Sequence, residues 1–264
     1  MLSWQIDQSE PIISPERVLA YYCRLLGCEL EALSLPRILV GTFQQAAMEH
    51  MAERIGVPAP ARWPTPIFWP LARGVYRDQP LAVARLPIGA PAAASALELM
   101  IAAGARIVIL VGSAGSLQPT LPVGSLIIAE RALRHEGTSH HYMPPNESVH
   151  ASPKLVDGLL SAAQRIGFDA PTIGSTWTTD APYRECIETV SKHRTSGILA
   201  VEMEAAALYS VALHRGADAV LVAAISDLLH DRWEPGFHTL AYRRALVRAS
   251  DLALEAASQL GTDS

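Results

Sequence analysis

Two carboxylates and a thioether sit together at Glu202-Met203-Glu204. A strand-like apolar run, Gly197 to Val201, precedes them, and an alanine-rich helical stretch, Ala205 to Tyr209, follows. Burying a carboxylate costs several kcal/mol unless it is paired or well hydrogen-bonded. These acids therefore call for a neutral, hydroxyl-rich ligand or for basic groups from elsewhere in the chain.

Four further constellations carry polar chemistry. Val111-Gly112-Ser113-Ala114-Gly115-Ser116 follows a buried apolar run. Small residues there let a ligand approach the backbone, whose N–H groups can cradle an anion or a hydroxyl; an ordinary tight turn would read the same way. Ser226-Asp227 ends another apolar run, where an aspartate serves as a proton donor or ligand partner, or as a helix N-cap. Thr178 to Glu185 offers hydroxyls, a carboxylate, an aromatic ring and the guanidinium of Arg184. It also reads as a capped helix start, with Asp180 at the N-cap, Pro182 in the first turn and Glu185 as capping-box partner. Arg134 to Tyr142 holds three histidines and Glu136, but their spacing matches no standard zinc pattern, so no metal is expected.

The elements that must position these groups alternate in type. Strand patterns cover residues 37–41, 81–88, 106–111, 125–133, 171–177, 199–201 and 219–225; helical patterns cover 15–26, 43–55, 89–103, 153–166, 183–193, 202–215 and 240–258. Ser14 before Pro15 marks a helix start. This alternation predicts an α/β fold: a single domain over 1–264 with a twisted mixed central sheet flanked by helices on both faces, and an N-terminal helical extension over about 1–35. The segment 58–80, rich in proline and tryptophan, is the expected subunit interface.

Of the 264 residues, 50% are hydrophobic and 18% charged, a globular composition. The formal net charge of -5 argues against nucleic acid as the main partner. Three cysteines without a C-x-x-C pair, no signal-peptide pattern and no membrane-length apolar run read as a cytoplasmic protein.

Taken together, the motifs resemble the purine and uridine phosphorylase superfamily, which includes methylthioadenosine nucleosidases. The matching pieces are Gly112 to Pro119, Val123-Gly124-Ser125, Glu136 to Tyr142, Thr179 to Tyr183, Val201 to Ala206 and Ser226-Asp227, in family order over roughly residues 81–240. Trp177 to Glu185 and Trp233 to Phe237 look like a uridine phosphorylase-like subgroup. The resemblance implies cleavage of the N-glycosidic bond of a ribonucleoside. Glu204 would accept hydrogen bonds from the ribose 2′- and 3′-hydroxyls, Met203 would pack on the sugar, and Glu202 would hold that corner. Ser113 would touch phosphate or the attacking water; Gly41, Ala114, Gly115, Tyr183 and Arg184 would contribute to substrate binding. Asp227 matches the acid that protonates a departing purine. The resemblance also implies a homo-oligomer, a dimer or a trimer of dimers, and no cofactor beyond inorganic phosphate as co-substrate.

Departures from the family pattern keep three readings open. Phosphorolytic members carry arginine where Leu110 stands, and a second arginine in the loop that here reads Thr42, Phe43, Gln44 and Gln45. Arg62, Arg73, Arg77 and Arg184 are the candidate replacements. Hydrolytic members use a glutamate near the position of Ala46, where Glu49 is the nearest acid. Pro182 stands where many members stack phenylalanine on the base, leaving Tyr183 or Trp177 as substitutes. Phosphorolysis, hydrolysis and nucleoside binding without turnover follow in that order, with the choice of purine or pyrimidine open.

Overall fold

The computed structural model describes residues 6, 9–58, 61–62 (backbone only), 70–145, 147–230 and 232–260. Most of the segment 59–69, the centre of the expected interface, lies outside them.

The central strand is β5 (Ile107–Ser116), and the sheet forks along it. On one edge β5 pairs in parallel with β10 (Asp218–Leu228) along nearly its whole length. On the other edge its first half, Ile107 to Val111, pairs with β1 (Ile38–Thr42), while Gly115 and Ser116 pair with the short β9 (Ala200–Glu202). Gly112, Ser113 and Ala114 fall between the two partners. Their backbone on that edge is not taken up by a strand among the described residues.

Beyond the fork the sheet runs two ways. One limb is open: β1 pairs with β4 (Gln79–Arg85), β4 with β3 (Pro70–Tyr76), and β3 with β2 (Ala61–Arg62). The other returns on itself. From β9 it passes through β8 (Thr172–Thr179) and β6 (Leu126–His135) back to β10, so β5, β9, β8, β6 and β10 form a closed ring. Two short strands, β7 (Val149–His150) and β11 (Glu234–Pro235), add to β6 and β10. The mixed sheet follows the sequence reading; the ring does not show in strand order along a chain.

Two groups of helices flank the sheet. α1 (Pro15–Leu26) packs on α3 (Ala90–Ala102), and α3 on α6 (Ala205–His214). α2 (Gln45–Arg54) and α4 (Pro153–Arg165) pack on α7 (Leu240–Gln259), which lies on β5 and β10. α5 (Ile187–Thr195) covers a small second core of Leu117, Trp177, Val190 and Val201. α1 starts as expected: the Ser14 hydroxyl accepts from the Arg17 N–H, with Pro15 in the first turn. No described helix is long and apolar enough to cross a membrane.

Several elements differ from their sequence reading. β5 does not end at Val111 but continues through Ser116, because β10 keeps pairing with it; the glycine-containing stretch is strand, not turn. β10 likewise runs past Ile225 to Leu228, so Asp227 lies inside the strand and caps no helix. The expected helix start at Tyr183 is a three-residue 3-10 turn, Pro182–Arg184, and α5 begins at Ile187. Its N-cap residue, Cys186, makes no side-chain cap bond. Asp180 instead accepts from the Gly137 N–H at 2.9 Å, tying the 134–142 loop to the end of β8.

Candidate active site

The carboxyl ends of β5, β9 and β10, with the segments that follow β1 and β8, surround a cavity of about 750 Å3. That falls within the roughly 300–1,000 Å3 usual for small-molecule sites. Ser113, Ala114, Gly115, Met203, Glu204 and Asp227 all line it, as do Glu202 and Tyr183. Sequence motifs spread over more than a hundred residues therefore meet in one place. Gly41 does not face the cavity: a Cβ there would lie 2.7 Å from Leu86 Cδ1 and 2.9 Å from Leu110 Cδ2. Arg184 is exposed and is not among the lining residues.

Glu202 is the most heavily bonded of the acids. One oxygen accepts from the Thr178 and Thr176 hydroxyls. The other accepts from the N–H groups of Glu204 at 2.7 Å and Ala205 at 2.6 Å. It thereby ties β8 to the first turn of α6, where a carboxylate also meets the positive end of the helix dipole. Thr178 supports the same turn by accepting from the Ala206 N–H. Burial pushes Glu202 upward while these four donors pull it down, and burial prevails.

Glu204 is held more loosely. One carboxylate oxygen accepts from the Gly89 N–H at 2.7 Å, at the turn into α3. Burial, with the Glu202 charge beside it, pushes Glu204 up to about 8. Met203, half-buried, lies next to it in the wall.

Asp227 occupies the other end. A bulge between Ile225 and Asp227 shifts the register against β5 and sets Asp227 opposite Gly115. One oxygen accepts from the Ser226 hydroxyl at 2.7 Å, the other from Trp233 Nε1 at 3.0 Å. Glycine at 115 keeps this approach open: a Cβ would come within 2.3 Å of Leu229 Cδ1 and 3.3 Å of Asp227 Oδ2, so both side chains would have to shift.

The Ser113 hydroxyl is 2.6 Å from the Tyr242 hydroxyl, which α7 delivers across the strand ends. Burial is the largest effect on the Tyr242 phenol and raises it. Gln44 and Phe43, just after β1, form the adjoining wall. The rim carries Tyr183, fully exposed, and Trp233.

The residues named as replacement phosphate ligands are mostly engaged elsewhere. Arg73 donates to the Ser34 and Ala32 carbonyls, and Arg77 to Glu255; the Arg62 side chain lies outside the described residues. Leu110 is fully buried. Glu49 is exposed on α2 and accepts from Gln45. Among the described residues lining the cavity there is no arginine, lysine or histidine. Trp177 does not reach a base either: it is buried in the second core and donates to His135 Nδ1 at 3.0 Å.

Sequence reading missed Tyr242, the Gly89 amide and the cavity role of Glu185. Tyr242 and Gly89 sit in plain helical patterns, and Glu185 fits a capping box. Trp233 was singled out only as part of a subgroup string.

A sheet with its cavity at the strand ends, lined by an acid pair before α6 and an acid on β10, defines a small-molecule α/β protein of the phosphorylase superfamily. The family model for that superfamily matches residues 38–258, and the chain belongs to it. It is 34% identical over 168 residues to a uridine phosphorylase of Thermococcus kodakarensis, covering 58% of this chain and 59% of that protein. It is 30% identical over 192 residues to a DeoD-type purine nucleoside phosphorylase of Bacillus cytotoxicus, covering 70% and 79%. The crystal structure of a purine nucleoside phosphorylase from Toxoplasma gondii in complex with immucillin-H superposes with a TM-score of 0.78. It is 20% identical, with 88% of this chain and 94% of that one covered, a likeness of fold.

Proposed function

We propose that this protein cleaves the N-glycosidic bond of a ribonucleoside by phosphorolysis, as a pentosyltransferase giving free base and ribose 1-phosphate. The observation that carries the reading is Glu204, a buried carboxyl in the cavity wall anchored by the Gly89 amide, where it would meet a ribose diol. Cleavage of this bond builds positive charge on the sugar and negative charge on the base. An acid at the diol and acids near the base suit both needs. In this reading Met203 packs on the sugar, and Ser113, backed by Tyr242, faces the incoming nucleophile beside the open edge of β5.

A second reading, hydrolysis, draws on the absence of a basic residue among the described lining residues, since phosphate usually needs a guanidinium fork. Under phosphorolysis that cation comes from a second copy of the chain. The exposed apolar side chains of Tyr183, Ile187, Trp233 and Leu240 support a homo-oligomer. No cofactor beyond phosphate is needed, and a cytoplasmic role in nucleotide salvage fits the reaction.

The test is a panel of purine and pyrimidine ribonucleosides incubated with and without phosphate, reading free base. Phosphate-dependent release is expected. Equal release without phosphate selects hydrolysis. Intact nucleosides in every arm reject both.

A further inference from the structure

The four cavity acids differ in how far the protein has already claimed them. Glu202 accepts four hydrogen bonds, Asp227 two, and Glu204 one from Gly89. The Glu185 side chain accepts none among the described residues, although it lines the same cavity as Asp227. Both oxygens of Asp227 already receive donors, from the Ser226 hydroxyl and Trp233 Nε1, and these fix the carboxylate in place. Glu185, half-buried in the same cavity wall and with no donor of its own, is a good place to keep a proton.

We infer that Glu185 is the acid that gives a proton to the departing base, with Asp227 as the fixed carboxylate that keeps the proton on Glu185. The inference rests on the proposed N-glycosidic cleavage and reassigns the donor within it. The C1′–N bond breaks and its electron pair passes into the base. The Glu185 proton goes to a ring nitrogen or carbonyl oxygen of that base. The nucleophile's oxygen bonds to C1′, its own proton goes to solvent, and Glu185 regains one from solvent.

The surroundings of Glu185 agree. Burial, and then the Asp227 charge, push it up to about 7, where a general acid at neutral pH works best. Glu185 also walls a smaller annex of about 330 Å3 that holds Arg194, His230 and Arg232. Those groups have other partners: Arg194 donates to the His230 carbonyl, and Arg232 pairs with Glu234. The 3-10 turn at Pro182–Arg184 places Glu185 here, as the first residue after it.

The test compares wild type, Glu185→Gln and Asp227→Asn on two substrates over a pH series. One substrate is a ribonucleoside; the other is a nitrophenyl riboside, whose phenolate leaves without a proton. Glu185→Gln should lower kcat/KM for the nucleoside by about thirty-fold or more and abolish the fall in rate above neutral pH, while nitrophenyl riboside cleavage stays within about threefold. Asp227→Asn should move that fall to lower pH. An unchanged nucleoside profile in Glu185→Gln, or equal losses on both substrates, overturns the assignment and leaves the cleavage activity standing. A wild type that cleaves neither substrate overturns both.

Discussion

Burial and the neighbouring Glu202 push Glu204 from an ordinary 4.5 up to about 8. Between those values the folded protein keeps a proton that the unfolded chain has lost. Stability from this group is therefore full below the lower value and is lost as pH rises through the upper one. Glu204→Gln, neutral throughout, should flatten the fall in Tm that wild type shows across this window; parallel Tm–pH curves would contradict the assignment. Glu202 answers to a different experiment. Removing it strands two hydroxyls and two amides at the start of α6, so Glu202→Ala should cost about 3 kcal/mol or more by denaturant unfolding. Glu204→Ala frees the Gly89 amide and should cost about 1 kcal/mol, less than Glu202→Ala, while losing most ribonucleoside cleavage. The sequence marked both acids as needing partners. It did not tell which one the fold consumes and which it leaves for a ligand, because those donors come from β8, α3 and α6.

At the scale of elements, the pairing of β5 with β10 places Gly115 against Asp227. Gly115→Ala would press on Leu229 and Asp227 together. We expect a loss of about tenfold or more in kcat/KM with little change in far-UV dichroism, since the strand conformation itself tolerates alanine. Such element-level facts were partly legible. Apolar runs located β5 and β10 but understated their length, because the runs stop where side chains turn from core to cavity. Asp180 shows the opposite failure. It had the sequence of a helix cap, yet its acceptor is used by Gly137, more than forty residues away. A local pattern shows that an acceptor is present and not which donor reaches it. Trp177 failed for a related reason: strand alternation puts it on the face of β8 opposite Thr176 and Thr178, away from the ligand.

For the whole molecule, alternation of strands and helices was enough to foresee a mixed, helix-flanked sheet, but not its return upon itself. That closure has a consequence for how the protein breathes. Ring strands have few free edges from which to fray, so amides in β5, β6, β8 and β10 should exchange with deuterium only through global unfolding, whereas those of β2 and β3 at the open end should exchange by local opening. The ring is joined through β9, three residues long and ending in Glu202. Glu202→Ala should therefore bring the slow set down towards the fast one, by an amount native-state exchange can read. The floor beneath a bound ligand would then be the last part of the protein to open, while the rim at Pro182, Tyr183, Leu229, Trp233 and Phe237 should open sooner and set the pace at which small molecules enter and leave.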